Sequence, residues 1–299
     1  MNKPTITTII LTYNEEIHIE RCIRNAQRFS AHILIIDSSS TDRTVEIAEG
    51  LGATVLQHKW ENNYAKQLNW GIENNPFASE WILRQDADEY LSDELIEELK
   101  GQLENVDSEV SGFVFPRDVY FQDKIITPKA KVELLRLWRS GYAVCESSWM
   151  DEHMILTSGK TVLCKGVFYD HTLNNFNWWT TKHNGYAVRE AITLLDIEYD
   201  LLPNHTADGL TQQAEKKRGM KHRYARQPLF FRAFLYFLYR YIAKGEIWNG
   251  KTGFLWCFFQ AFWYRMLVDM TVYEIKRKCG DDVEKIKAYF KTQYKIEIE

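Results

Sequence analysis

Cysteine is sparse and badly arranged for chemistry. Cys22, Cys145, Cys164, Cys257 and Cys279 are odd in number, far apart, and include no C-x-x-C pair. That excludes a disulfide framework and a zinc knuckle and fits a reducing compartment, the cytoplasm. Excess positive charge is also missing: 37 basic against 41 acidic side chains leave a formal charge of −4, which gives no global reason for a nucleic-acid partner. No Gly/Ser/Pro linker, low-complexity tract or internal repeat divides the chain, so repeat architectures are excluded. Met1 to Pro4 lead straight into a strand-like run without the charged-then-apolar pattern of a signal peptide. A bilayer-spanning run is lacking too. The apolar stretch 229–242 has 14 residues and two arginines, and 254–272 is interrupted by Gln260, Arg265 and Asp269, whereas spanning takes about 20 apolar residues.

What is present is an ordinary globular balance, 45% hydrophobic and 26% charged over 299 residues, enough for one large α/β domain with an extension. The first hundred residues alternate short apolar runs with helical periodicity, the pattern of βαβ units and a mostly parallel sheet. Thr5 to Thr12 is β-branched and nearly unbroken, as a strand buried on both faces requires. Asn14 is placed to cap the next helix, with Glu15 and Glu16 in its first turn. A second strand, Ile33 to Ile36, ends at Asp37, and a later one, Trp81 to Leu83, runs into Arg84-Gln85-Asp86-Ala87-Asp88-Glu89. Ligands of open α/β sheets bind outside the carboxyl ends of strands. Acidic residues therefore gather on one rim.

Asp86 and Asp88, two residues apart past a strand end, can both turn toward one hard cation. Mg2+ or Mn2+ suits such oxygen ligands and keeps positions open for substrate phosphates. Taken alone the D-x-D pair also fits a solvated turn or a helix cap. Together, Thr12-Tyr13-Asn14-Glu15-Glu16, Asp37-Ser38-Ser39-Ser40-Thr41-Asp42 and Asp86-Ala87-Asp88-Glu89 resemble, in order and spacing, the nucleotide-sugar domain of glycosyltransferase family 2, over about residues 5–195. Within it the likeness is to bacterial lipopolysaccharide-core β-glucosyltransferases and capsule enzymes. The resemblance implies a Rossmann-like GT-A fold, an inverting transfer from a nucleoside diphosphate sugar such as UDP-glucose, and a nucleoside held by Thr12, Asn14 and Glu15. It also implies that Asp37 accepts a hydrogen bond from the base, and that Asp86 and Asp88 hold ribose and metal. Lys66 stands where relatives carry a basic element near the nucleotide, although a lysine on a helix also fits simple exposure.

Inversion requires a carboxylate that takes the acceptor's hydroxyl proton. Asp151 and Glu152, in Trp149-Met150-Asp151-Glu152-His153, are the candidates, Asp151 ahead of Glu152. His153 either supports that pair or is a neutral core histidine. In the segment from Tyr169-Asp170-His171 to Trp178-Trp179 and Lys182-His183, His171 can complete a metal shell and Lys182 or His183 can neutralise a diphosphate. The two tryptophans can stack on sugars or be buried.

The last third is rich in aromatics. Six Lys and Arg in 216–226 precede the run 229–242. On a helix Arg232, Tyr236, Tyr239 and Arg240 share one arc, and Phe230, Phe231, Phe234, Phe237, Leu238 and Tyr241 the other. A basic, aromatic, amphipathic helix suits a helix lying in an anionic leaflet, and equally one packed on its neighbours or in an oligomer interface. The expectation is a GT-A domain over 1–205 and a helical extension over 206–299, peripheral on the cytoplasmic face of the inner membrane, with a lipid-linked glycan acceptor. Two rival readings stand beside it. A sugar-1-phosphate nucleotidyltransferase would open with a glycine-rich loop after its first strand, where this chain has none. A non-catalytic nucleotide or glycan binder would keep the fold but not Asp86, Asp88 and Asp151.

Overall fold

The computed structural model describes residues 4–126, 131–146, 150, 152–201 and 212–298, with the backbone alone for 212–218. It begins with β1 (Ile6–Thr12), buried at all but one position. Next come α1 (Ile19–Ala26), which buries Ile19, Cys22, Ile23 and Ala26 at helical spacing, and β2 (His32–Asp37). α2 (Thr44–Gly50) leads to Gly52 at φ +80°, a left-handed turn that glycine adopts without a Cβ clash, and then to β3 (Thr54–Gln57). α3 (Tyr64–Glu73) is capped by the Asn63 side chain, which accepts from Lys66 N–H. β4 (Trp81–Arg84) and β5 (Glu89–Leu91) precede α4 (Asp93–Glu104).

The parallel regularity then stops, as the change of sequence pattern indicates. β6 (Val110–Phe121), β7 (Lys124–Ile126), β8 (Val132–Arg139), β9 (Ala143–Cys145), β10 (Met154–Leu156), β11 (Lys160–Leu163) and β12 (Phe168–Asp170) follow. The main sheet runs β3-β2-β1-β4-β8-β6-β12-β5, with β7 and β11 also paired to β6. β3, β2, β1 and β4 are parallel; β8 pairs antiparallel to β4 and to β6. The chain moves outward from β1 to β3 and returns to place β4 on the other side of β1. Their carboxyl ends therefore flank a topological switch, the place where such sheets bind ligands.

The helical body consists of α5 (Phe176–Tyr199), α6 (Gln212–Ala225), α7 (Phe231–Leu238), α8 (Gly250–Cys257), α9 (Tyr264–Cys279) and α10 (Val283–Tyr289). Ala187, Ile192 and Leu195 of α5 share one core with Val268, Val272 and Ile275 of α9, and with Ile286 and Phe290. By packing, α5 belongs to this body, so the change of core falls well before the compositional change at residue 205. On α7 Arg232 faces inward: it is buried and donates to Asp269 at 2.8 and 2.6 Å. Phe231 and Phe234 on the other arc are 56% and 46% exposed, and so is Tyr239 on the arginine arc, at 46%. Among the described residues no helix is long and apolar enough to cross a membrane.

Candidate active site

At the β1–β2 rim the two loops tie each other down. Thr12, buried at the end of β1, donates to Asp37 at 2.8 Å, and Ser40 N–H donates to the other Asp37 oxygen at 2.8 Å. The Ser40 hydroxyl is a further donor to Asp37, whose side chain is fully buried. Asn14 is not a helix cap, because α1 starts only at Ile19 and Asn14 sits at φ +55°. Its N–H donates to Ser40 Oγ at 2.9 Å and its Oδ1 accepts from Thr41 N–H at 2.8 Å. Glu15 does reach the cleft wall. His18 fixes it: Leu173 N–H donates to His18 Nε2 at 2.8 Å, so the ring proton lies on Nδ1 and is donated to Glu15 at 2.6 Å.

The β4 end is built differently. Burial opposes ionisation of Asp86, but Arg84 and Arg136, 3.7 and 3.8 Å away, and the Tyr64 hydroxyl outweigh it and hold the carboxyl at about 2. Asp86 is thus already neutralised by the protein. Glu89 pairs with Arg136 at 2.6 Å; burial, opposed by Arg136 and reinforced by Asp86, raises its carboxyl. Asp88 has no hydrogen bond or ion pair to its carboxylate among the described residues. Only its carbonyl is engaged, by His171 N–H at 3.0 Å and by Arg21 at 3.2 Å. Arg21 also donates to His171 Nδ1 at 3.2 Å, and His171 stacks on Tyr120 with ring centres 4.1 Å apart. Burial, then the Arg21 charge, lowers His171.

Lys182 projects from α5 into the same space, 4.7 Å from the Trp178 ring. Burial works against its charge, yet Tyr186, Asp88 and Glu15 more than compensate and raise it. Glu152 lines the cleft, as does His153, which bonds Glu146 at 2.9 Å. Asp151 lies outside the described residues. Lys66 is not brought to the wall: its side chain is 55% exposed and lies 3.7 Å from Glu61. No three His, Cys, Asp or Glu side chains converge as a complete metal cage among the described residues. The cleft that joins these groups is large, about 2340 Å3, and continues along α5 into the helical body.

The family profile described as glycosyl transferase family 2 matches residues 7–172, more than half of the chain. The chain belongs to glycosyl transferase family 2. Its glycosyltransferase relatives include an uncharacterized glycosyltransferase of Rickettsia bellii, 40% identical over 95 residues. That match covers 32% of this chain and 31% of the rickettsial one, so this chain spans about a third of that relative's length. A lipopolysaccharide core biosynthesis glycosyltransferase, LpsC of Rhizobium meliloti, is 27% identical over 261 residues, 85% of this chain and 86% of that one. Among solved structures, the mannosyltransferase PcManGT of Pyrobaculum calidifontis, in complex with GDP-Man and Mn2+, superposes with a TM-score of 0.51 at 13% identity, over 91% and 88% of the chains. That likeness concerns the fold alone.

Within this family 2 site, several residues escape sequence reasoning. Arg21 joins the Asp88 turn to His171 across 150 positions of chain. Arg84, Arg136 and Tyr64 neutralise Asp86 from three different elements. Asp170 carries a carboxyl that burial, opposed by Arg117 at 3.3 Å and reinforced by Asp88, pushes up to about 6. Its place beside His171 was the only signal.

Proposed function

We propose that the chain is an inverting, metal-dependent hexosyltransferase that moves a sugar from a nucleoside diphosphate donor, a UDP-sugar such as UDP-glucose, to a hydroxyl of a lipopolysaccharide, capsule or other lipid-linked glycan. The observation that carries it is the meeting of His171, a charged Lys182 and an Asp88 carboxylate without a partner among the described residues at the switch point. The open Asp88 carboxylate is a hard oxygen donor that fits Mn2+ or Mg2+, which leave their other positions to phosphate and water, and the His171 imidazole could join it only by giving up the bond its Nδ1 accepts from Arg21. Held there, the ion would offset charge on the departing diphosphate.

Lys182 adds fixed positive charge where that leaving group accumulates negative charge. The acceptor hydroxyl oxygen attacks the anomeric carbon opposite the diphosphate, the bond from that carbon to the diphosphate breaks, and the hydroxyl proton passes to a carboxylate. We assign that base to the Asp151–Glu152 pair. Glu152's place on the cleft wall supports it. The lipopolysaccharide-core name of the Rhizobium relative, matched over most of both chains, supports the acceptor class.

The test is calorimetric titration with UDP and with GDP, each with and without Mn2+. UDP binding that needs the metal is expected, and no binding of either nucleotide would overturn the reading. Glu152→Gln or Asp151→Asn should keep donor binding and stop transfer; if both proteins transfer sugar normally, the base lies elsewhere.

The same reading places the enzyme against the anionic cytoplasmic leaflet. Phe231, Phe234, Ile242 and Trp248, the last 85% exposed, are exposed apolar side chains in a stretch of sequence that also carries Lys244 and Lys251, a combination suited to the headgroup region. Cosedimentation with phosphatidylglycerol vesicles, but not with phosphatidylcholine ones, is expected, and Trp248→Ser should reduce it. Deleting 228–299 is the wrong test, because it would also strip the core from α5. Equal or absent sedimentation with both vesicles would end the membrane assignment.

A further inference from the structure

Sites that hold a drug-sized molecule occupy roughly 300–1,000 Å3, so a donor at the strand ends fills less than half of a cleft of about 2340 Å3. The remainder runs between α5, α8 and α9, and its chemistry differs from that of the donor end. Aromatic rings line it without a break. Phe121, at the end of β6, lies 5.3 Å from Trp256 of α8, Phe176 stacks on Trp179 at 5.4 Å, and Trp179 stacks on His183 at 3.5 Å, all on the cleft wall.

Several charged groups of this lobe are engaged with one another. Arg265 bonds Glu190 at 3.0 Å amid the rings of Tyr224, Tyr236 and Tyr264, and Arg240 pairs with Glu246 at 3.4 Å. A neutral ring can lie against these rings and leave the pairs intact. Polar capacity remains. Tyr224 Oη and Trp256 Nε1 are buried without a hydrogen-bond partner among the described residues. Each such orphan costs about 1–3 kcal/mol, so a small turn of these side chains toward a ligand hydroxyl gives up no existing bond and satisfies a missing one.

We propose that this helical lobe is the acceptor subsite and binds an uncharged sugar ring, with Trp256 and Trp179 against its apolar faces and Tyr224 and Trp256 on its hydroxyls. The assignment of the ring to an acceptor rests on the transferase reading above. The binding of a ring does not.

Saturation-transfer NMR on the full chain, loaded with UDP and Mn2+, tests it with methyl glucoside, methyl mannoside and methyl galactoside as probes. At least one probe should bind while UDP is present. Trp256→Ala should weaken it about tenfold through loss of the stacking face, and Trp256→Phe, which keeps a ring, should retain most of the affinity. UDP titration of each variant checks that the fold and the donor end survive. The proposal is overturned if no glycoside binds while UDP does, if UDP displaces the glycosides, or if both Trp256 variants bind like the parent. If UDP fails to bind the parent but a glycoside binds, the donor reading fails and the sugar subsite stands.

Discussion

The cleft has two acidic rims that differ in what their carboxylates already touch. At the β1–β2 rim Asp37 accepts from Thr12, from Ser40 N–H and from the Ser40 hydroxyl, while Asn14, Glu16 and Asp42 stitch the two loops together. At the β4 rim Asp86 is held by arginines and a tyrosine, but the neighbouring Asp88 carboxylate meets no partner among the described residues. In sequence both rims look alike, an acidic group just past a buried strand. A buried carboxylate with its lone pairs filled serves the scaffold. One left open at the mouth of a cleft carries an electrostatic cost that a bound cation can offset.

The largest expected effect tests the open rim. Asp88→Asn should lower transfer by about a thousandfold or more, the scale seen when one stabilising group is removed from a developing charge. Metal-dependent UDP binding should vanish with it. Stability should change by less than about 1 kcal/mol, since no hydrogen bond to its carboxylate is lost among the described residues and its charge acts on Lys182 and Asp170 in opposite senses. Chemical denaturation beside a transfer assay checks both halves, and a clear loss of stability would break the comparison. Asp37→Asn should be mainly a stability change. Replacing one acceptor oxygen by an amide sets a donor against the donors that Asp37 now receives, at a cost of about 1–3 kcal/mol. Urea unfolding measures it. An Asp37→Asn protein as stable as the parent would break the comparison from the other side.

The parallel half of the fold is legible from sequence because its rules are local. An unbroken β-branched run must be a covered strand, and capping residues mark helix starts. Even there Asn14 reads as a cap and turns out to be a brace, since its partners Ser40 and Thr41 are brought near only by the pairing of β1 with β2. Arg21 is illegible for the same reason. In a helix beginning IERC it looks like a solvated arginine, and its target His171 comes close only when β12 closes the sheet. Periodicity divides α7 into two arcs but cannot say which residues face in. Asp269, 37 positions later, decides that for Arg232 by drawing it inside.

Lys66 gives the smallest expected effect and the sharpest test of how much the comparison covers. Its backbone N–H donates to Asn63 Oδ1 at 2.9 Å whatever its side chain is, so the start of α3 does not depend on the ammonium. That ammonium is 55% exposed and 3.7 Å from an equally exposed Glu61, and pairs of this kind contribute about 0.2–1 kcal/mol at most. Lys66→Ala should therefore shift stability by less than about 0.5 kcal/mol and leave UDP affinity where it was, read from the same denaturation and titration experiments. A tenfold loss of UDP affinity, equal to about 1.4 kcal/mol, would mean that α3 swings toward the phosphates when the donor arrives. In that case hydrogen-bond saturation in the unliganded chain would no longer separate scaffold from site, because a residue now paired with Glu61 would have to change partners on binding.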